Sequence, residues 1–538
     1  MRAIILVITV CVLVSCTSTT QKENSLVGLP FEVNGSAEAM PAFQKGHLLL
    51  HNFEYYDAAE AFLEAQKIDP DFVMAYWGEA MSYNHPVWGV VDVDKARAIM
   101  QRLGAIPEER EGKAKTELEK DFIRAIEILY GSGSKSERDL AYLEHMKEMY
   151  NRYPGNNEAA TFYVLALLGT KEDWRNWENV NEQAAEISKA VLESNPAHPG
   201  ALHYLIHSDD HPEYAKFALA AANDYSKVAS YAGHALHMPS HIYLALGMWD
   251  EVVLSNEVAW QAGVDRVKNK ALNNDELNYH SHLWLLYGYL QQGRNDRALE
   301  LLKNQIQYVT ELPSGRARFH LLKMKGHYLF ETETWTGDIA DLTIETKDLS
   351  LESRSVGYLI DGVKAFKQDE EAELMKVIQA IKMDLSVANS LKETSANITV
   401  CGVSSYSNTI PSEYELNNGA MMYNELQALL AWKQNRLKEA EELFRKAVEI
   451  DESFVTGPPD FVKLSNEFLG EFLLAMNRPE EANEQFDLAL KSAPNRLLAL
   501  KGKLDVAKQL NDAEKVKQLE TQISERSVKN SEKVEQGV

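Results

Sequence analysis

Apolar residues recur along most of the chain at spacings of three and four, and short polar or Pro/Gly-containing breaks separate the runs. That period is the one that buries one face of a helix. One arrangement returns three times. Residues 39–72 contain Gly46, Leu49, Ala58, Phe62, Ala65 and Pro70; residues 463–496 contain Gly470, Ala482, Phe486, Ala489 and Pro494; residues 421–454 contain Ala428, Ala440, Phe444 and Ala447. Small residues let two antiparallel helices approach closely, and the Phe fills the space where one hairpin stacks on the next. The pattern predicts helical hairpins that bury their apolar sides against neighbouring hairpins.

The middle of the chain follows the same plan more loosely. Helices are expected over 73–83, 113–130, 137–152, 157–169 and 178–193, then 200–208, 212–229, 239–247 and 249–262, and further on over 280–292, 294–309, 313–330 and 351–383. No alternating run is long enough for a sheet of any size. The spacing of the three matches resembles the tetratricopeptide repeat, and the expected fold is an all-α tetratricopeptide-like solenoid, a superhelix of helical hairpins. Domain organisation is expected as a signal peptide over 1–15, a tether over 16–38, a degenerate solenoid over 39–383, a loop or linker over 384–417, C-terminal repeats over 418–508 and a charged tail over 509–538.

Composition narrows the function. Charged residues make up 25% of the chain and apolar residues 45%, which excludes collagen-like and wholly disordered classes. The net charge of −25 and the lack of a basic stripe argue against nucleic acid, whose binding requires clustered Lys and Arg. The first residues change the picture further. Met1-Arg2 precedes a nearly uninterrupted apolar run from Ala3 to Val14, too short to span a bilayer and suited to a signal peptide. Leu13-Val14-Ser15-Cys16 then resembles the lipobox of bacterial lipoproteins. That resemblance implies lipidation of Cys16 and a lipid-anchored protein of the bacterial cell envelope, at the outer membrane. With Cys11 in the leader and Cys16 acylated, Cys401 stands alone, so neither a disulfide framework nor a thiolate zinc site is expected.

Histidine carries the candidate chemistry. Of 15 His in the chain, six (His203, His207, His211, His234, His237 and His241) fall in one short stretch. His203 and His207 are an i, i+4 pair on one helical face, a spacing that suits two imidazoles on one metal. Pro239 fits the first turn of a helix, with His237 before it and His241 within it. In a hairpin superhelix the first helices line the concave side, which would bring both segments to one groove. Three readings stand: a divalent metal, zinc first, held by about three of His203, His207, His234, His237 and His241 with one carboxylate; neutral imidazoles hydrogen-bonded in packing; or a metal-free polar groove. Glu79 and Asp209 are the candidate proton acceptors for a metal-bound water. His47 and His51 form another i, i+4 pair, and for His47 a solvated helix position is expected. No P-loop, His-Glu-x-x-His or Gly-x-Ser-x-Gly motif occurs.

The chain also resembles a bacterial family of tetratricopeptide-repeat lipoproteins. The resemblance rests on Met74-Ala75-Tyr76-Trp77-Gly78-Glu79-Ala80-Met81, on Leu202-His203-Tyr204-Leu205-Ile206-His207, on Gly233-His234-Ala235-Leu236-His237-Met238-Pro239-Ser240-His241-Ile242-Tyr243, and on Pro458-Pro459. It implies that His203, His207, His234, His237 and His241 belong to one site, and it matches His282, rather than His280, to a further histidine motif. It supplies no reaction. The expected function is a lipid-anchored envelope scaffold that takes a protein, peptide or small ligand in its groove. The alternatives are a metal-dependent, hydrolase-like enzyme or metal-binding protein, and an accessory lipoprotein for glycan or nutrient capture.

Overall fold

The computed structural model describes residues 31–170, 174–230, 232–395, 410–454 and 458–535. The expected signal peptide, Cys16, most of the tether and Cys401 lie outside the described residues. Helices follow one another as antiparallel hairpins, beginning with Met40–His51 and Tyr55–Ile68 and ending with Leu497–Gln509 and Ala513–Glu535. The strand content among the described residues is one two-residue pairing, Asn84–His85 with Val90–Val91. No described helix is long and apolar enough to cross a membrane.

The repeat positions named above do what their sizes dictate. The Phe62 ring is fully buried between Gly46 and Gly78, where a Cβ would stand 2.9 and 2.3 Å from it. Phe486 occupies the same socket between Gly470 and Gly502, at 2.8 and 2.3 Å. A side chain larger than hydrogen at any of the four would force the ring out. Helix starts are set by side chains: Ser134, Thr116 and Ser412 each close a capping box with the Glu three residues on.

One boundary differs from expectation. The segment 384–417 is not wholly a loop, because Glu371–Ser395 is one helix and the next begins at Glu413. The tail from 509 begins with the helix Ala513–Glu535, whose Leu519 packs on Leu500 and Ala507.

The larger departure is how tightly the superhelix winds. Hairpins touch more than their sequence neighbours. Asp57 of the first hairpin pairs with Arg266 at 2.7 Å, and Glu54 accepts from the His234 backbone N–H at 3.0 Å. At the other end Arg496 lies fully buried, with Glu467 at 2.6 Å, Glu331 at 3.0 Å and the Tyr287 hydroxyl at 2.7 Å. Leu497 N donates to Gln291 Oε1 at 2.7 Å, and Trp249 Nε1 donates to Asn495 O at 3.1 Å. Both ends of the solenoid therefore pack on its centre, and the first helices of distant hairpins meet in the interior.

Candidate metal centre

The histidines sit on these inward helices. Pro199–Ser208 carries His203 and His207. The next inward element is broken in two, Gly233–His237 and Pro239–Ala245, with Pro239 at the first turn of the second piece. This break sets His234, His237 and His241 along a bend. Tyr279–Gln291, capped by Asn278, adds His280 and Trp284 on one face.

Two groups of three result. His203, His207 and His234 bring their ring nitrogens within 4.8 Å of one another, and so do His237, His241 and His280. In each group one histidine is buried and two are half-buried. The groups are neighbours, with ring centroids 6.2 Å apart between His207 and His241 and 6.4 Å between His234 and His237. The Trp284 ring lies 4.4 Å from that of His241, tilted by 39°, and Trp88 stands 5.7 Å from His234. Phe53, at the left-handed φ of 57° that ends the first helix, lays its ring 4.3 Å from His203.

Hydrogen bonds fix which nitrogen faces inward. His203 Nδ1 lies 2.7 Å from the His51 carbonyl, which only accepts, so Nδ1 carries the proton. His241 Nδ1 lies 2.7 Å from Asp210 Oδ2 and donates to it. His237 Nδ1 lies 2.6 Å from Asn256 Oδ1. The Asn256 amide is oriented by its own Nδ2, which donates to Val252 O at 2.8 Å, so here too Nδ1 donates. Each imidazole therefore turns an unprotonated Nε2 toward its group. The Nε2 atoms of His237 and His241 stand 3.1 Å apart. Two lone pairs at that distance repel unless a cation, a proton included, lies between them. The Nε2 atoms of His203 and His234 stand 3.2 Å apart, close enough for one ring to donate to the other. Two nitrogens on a tetrahedral zinc with bonds of about 2.0–2.1 Å stand roughly 3.3 Å apart.

Burial keeps four of these rings neutral, those of His203, His234, His237 and His280. Desolvation lowers His203 and His237 to about 3, and pushes His234 and His280 well below the usual histidine value with help from neighbouring imidazoles. Neutral imidazole is the ligand form.

Four expectations are corrected by position. His282 does not join the cluster: it stacks on Trp260 at 4.1 Å and 11°, and its Nδ1 lies 3.1 Å from Gln305 Oε1. Positions 280 and 282 point to opposite sides of one helix, and His280 has the inward one, its ring 4.7 Å from His237. Glu79 is bound to Arg102 and, at 2.6 Å, to Gln66, and none of its hydrogen-bond or ion-pair partners is a histidine. Asp209 caps the helix end and pairs with Lys189 at 3.5 Å; the carboxylate at the cluster is Asp210. His47 and His51 are not solvated but 1% and 0% exposed, and they meet Glu158, also buried. His211 lies beyond the helix, which ends at Ser208, with its ring 5.8 Å from Tyr214.

Asn256 and Glu158 are the residues that the sequence alone did not single out. The signal would have been which helices touch, and that is set by the curvature of the superhelix.

A cleft of about 580 Å³ reaches this region at His234. Its walls include Lys45, Glu54, Tyr55, Asp57 and Arg266.

Comparison with known proteins bears on the scaffold. The tetratricopeptide repeat family model matches residues 423–454. No curated protein matches. Among solved structures, the APC/C hetero-tetramer Cut9–Hcn1 is similar at 12% identity and a TM-score of 0.36, over 90% of this chain and 79% of that one. A human IFIT1 dimer with m7Gppp-AAAA gives 12% and 0.34, over 93% and 96%. Yeast Tom70 gives 12% and 0.31, over 91% and 99%. At these scores the superhelices do not superpose, and nothing about a ligand of this chain follows from them. The matched repeat and the stacked hairpins agree on a tetratricopeptide-like helical-repeat fold, with histidine groups that could coordinate metal.

Proposed function

We propose that this protein is a metal-binding helical-repeat scaffold, in which two adjacent three-histidine sites hold first-row divalent ions, zinc foremost. One observation carries the reading. His237 and His241 both commit Nδ1 as donor, to Asn256 and Asp210, and still bring Nε2 to Nε2 at 3.1 Å. With both rings neutral, hydrogen bonding does not explain that pair, and a cation between the two nitrogens does. Partners on the outer nitrogen that fix ring and tautomer are the usual support for a metal-bound histidine. Three histidines, two of them half-buried, leave a tetrahedral ion one position for an exchangeable ligand. An ion so held would acidify bound water and suit hydrolytic chemistry. Neither Glu79 nor Asp209 stands ready as the base.

The test is metal analysis of the untagged protein prepared without chelator. The expected result is bound zinc or another first-row ion at one or two per chain. Replacing His237 and His241 together with Ala should remove the ion from their group and leave helix content unchanged. Metal content equal to the wild type in that variant would refute the assignment.

A second reading is favoured by the cleft. Its mixed-charge walls and the adjoining Trp88 suit a peptide or small polar ligand, docked beside the ions. The lipid on Cys16 would place this scaffold at the cell envelope, and Cys16→Ser should release it from membranes.

A further inference from the structure

A third group lies deeper, away from the cleft. His47 Nε2 and His51 Nε2 each stand 2.9 Å from the same oxygen of Glu158, and 3.2 Å from each other. These three atoms make a nearly equilateral triangle. All three residues are at most 2% exposed. Phe31 covers His47 at 4.9 Å between ring centroids, and Phe162 covers His51 at 5.2 Å. The outer atoms are held as well. His198 accepts from Ala201 N at its Nδ1, which leaves Nε2–H to donate to the second Glu158 oxygen at 3.3 Å. His51 Nδ1 meets the Tyr204 hydroxyl at 2.9 Å.

Hydrogen bonding alone fits this arrangement poorly. Two N–H donors on one carboxylate oxygen spread toward separate lone pairs, whereas the two nitrogens here subtend only roughly 70° at Oε2. The ion pairs of Glu158 among the described residues are all with histidine, which is a cation only when protonated, and a buried carboxylate requires a cation. A divalent ion answers both points. Edges near 3 Å are those of ligand atoms around one first-row ion, and two His plus one Glu is a zinc ligand set.

We propose that His47, His51 and Glu158 form a separate, solvent-closed zinc site that ties the first hairpin to the helix Asn157–Gly169. With hydroxide as fourth ligand the site is electrically neutral, as an apolar surround demands. Its role is structural. The carbonyl of His51 holds His203 Nδ1–H, so the inner ion also fixes a ligand of the outer group.

The test separates this site from the outer pair. In a His203→Ala, His237→Ala, His241→Ala variant of the full chain, about one zinc per chain should survive dialysis against a chelator that empties the outer sites. Adding Glu158→Gln, which preserves volume, should remove it. No zinc in the first variant, or equal zinc in the second, would overturn the proposal. A loss confined to the wild type's outer ions bears only on the outer reading. Should the Glu158→Gln protein fail to fold, zinc-edge X-ray absorption on the triple variant decides. Two imidazoles and two oxygens at about 2.0 Å support the site, and any other histidine count refutes it.

Discussion

The first and the last hairpin sockets of this protein are built alike and carry different things. Phe62 between Gly46 and Gly78 repeats as Phe486 between Gly470 and Gly502. The residue after the first glycine is His47 in one and Glu471 in the other. Glu471 is partly exposed and pairs with Lys463 at 2.5 Å. His47 is 1% exposed, because the helix Asn157–Gly169 closes over it and offers Glu158. The packing positions are common property of the scaffold. Chemistry enters where a second layer covers the inward face.

The largest effects should come from the shared socket. Phe62→Ala and Phe486→Ala each empty a fully buried ring site and should each cost about 3–5 kcal/mol. Only Phe62→Ala should also lower metal content, since its socket positions the helix of His47 and His51. Thermal melting with metal analysis on both variants checks this. Equal metal loss in both would mean that the two regions are one cooperative unit. Arg496→Ala belongs with them in size. It strands the buried Glu331 and Glu467 and should cost about 3–5 kcal/mol by the same melting measurement, with metal retained.

The two regions also treat a buried glutamate differently. Glu158 is opposed by burial, which raises it, but neighbouring His47 and His51 more than offset that and hold it well below the usual value. Glu425, buried in the C-terminal repeats, has a Ser465 hydroxyl at 2.6 Å, and desolvation pushes it up to about 8. An acid whose folded pKa is raised binds its proton more tightly folded than unfolded. Its contribution is complete below the usual carboxylate pKa and is lost as pH rises through about 8. Stability of the C-terminal repeats should therefore fall between pH 5 and 8 by about 1.4 kcal/mol per unit at most. Glu425→Gln should flatten that slope in melting curves recorded across the range. An unchanged slope would show that Glu425 is not the group responsible.

Local packing was legible in the sequence and long-range contact was not. Gly46, Phe62, Gly470 and Phe486 act on the adjoining helices, so their spacing alone exposes the hairpins. The i, i+4 pairs His203/His207 and His47/His51 are equally local. The burial of His47 depends on the distant helix Asn157–Gly169 closing over it, and no periodicity encodes that. His280 against His282 turned on which face of one helix points inward. Its start at the Asn278 cap is locally visible, but the direction of the neighbouring helices is not.

The finest test lies between adjacent carboxylates. Asp209 and Asp210 differ by one position, yet only Asp210 reaches the cluster, accepting from His241 Nδ1 at 2.7 Å. Asp209 faces Lys189. Asp210→Asn retains the shape, weakens the acceptor and frees the ring to turn. Loss of such a partner costs about 10–100-fold in metal affinity. Asp209→Asn should change affinity less than about twofold, since its ion pair is with Lys189. Competition with a chromophoric chelator gives both values. Equal effects of the two substitutions would mean that overall negative charge near the site, not the hydrogen bond to His241, supports the ion.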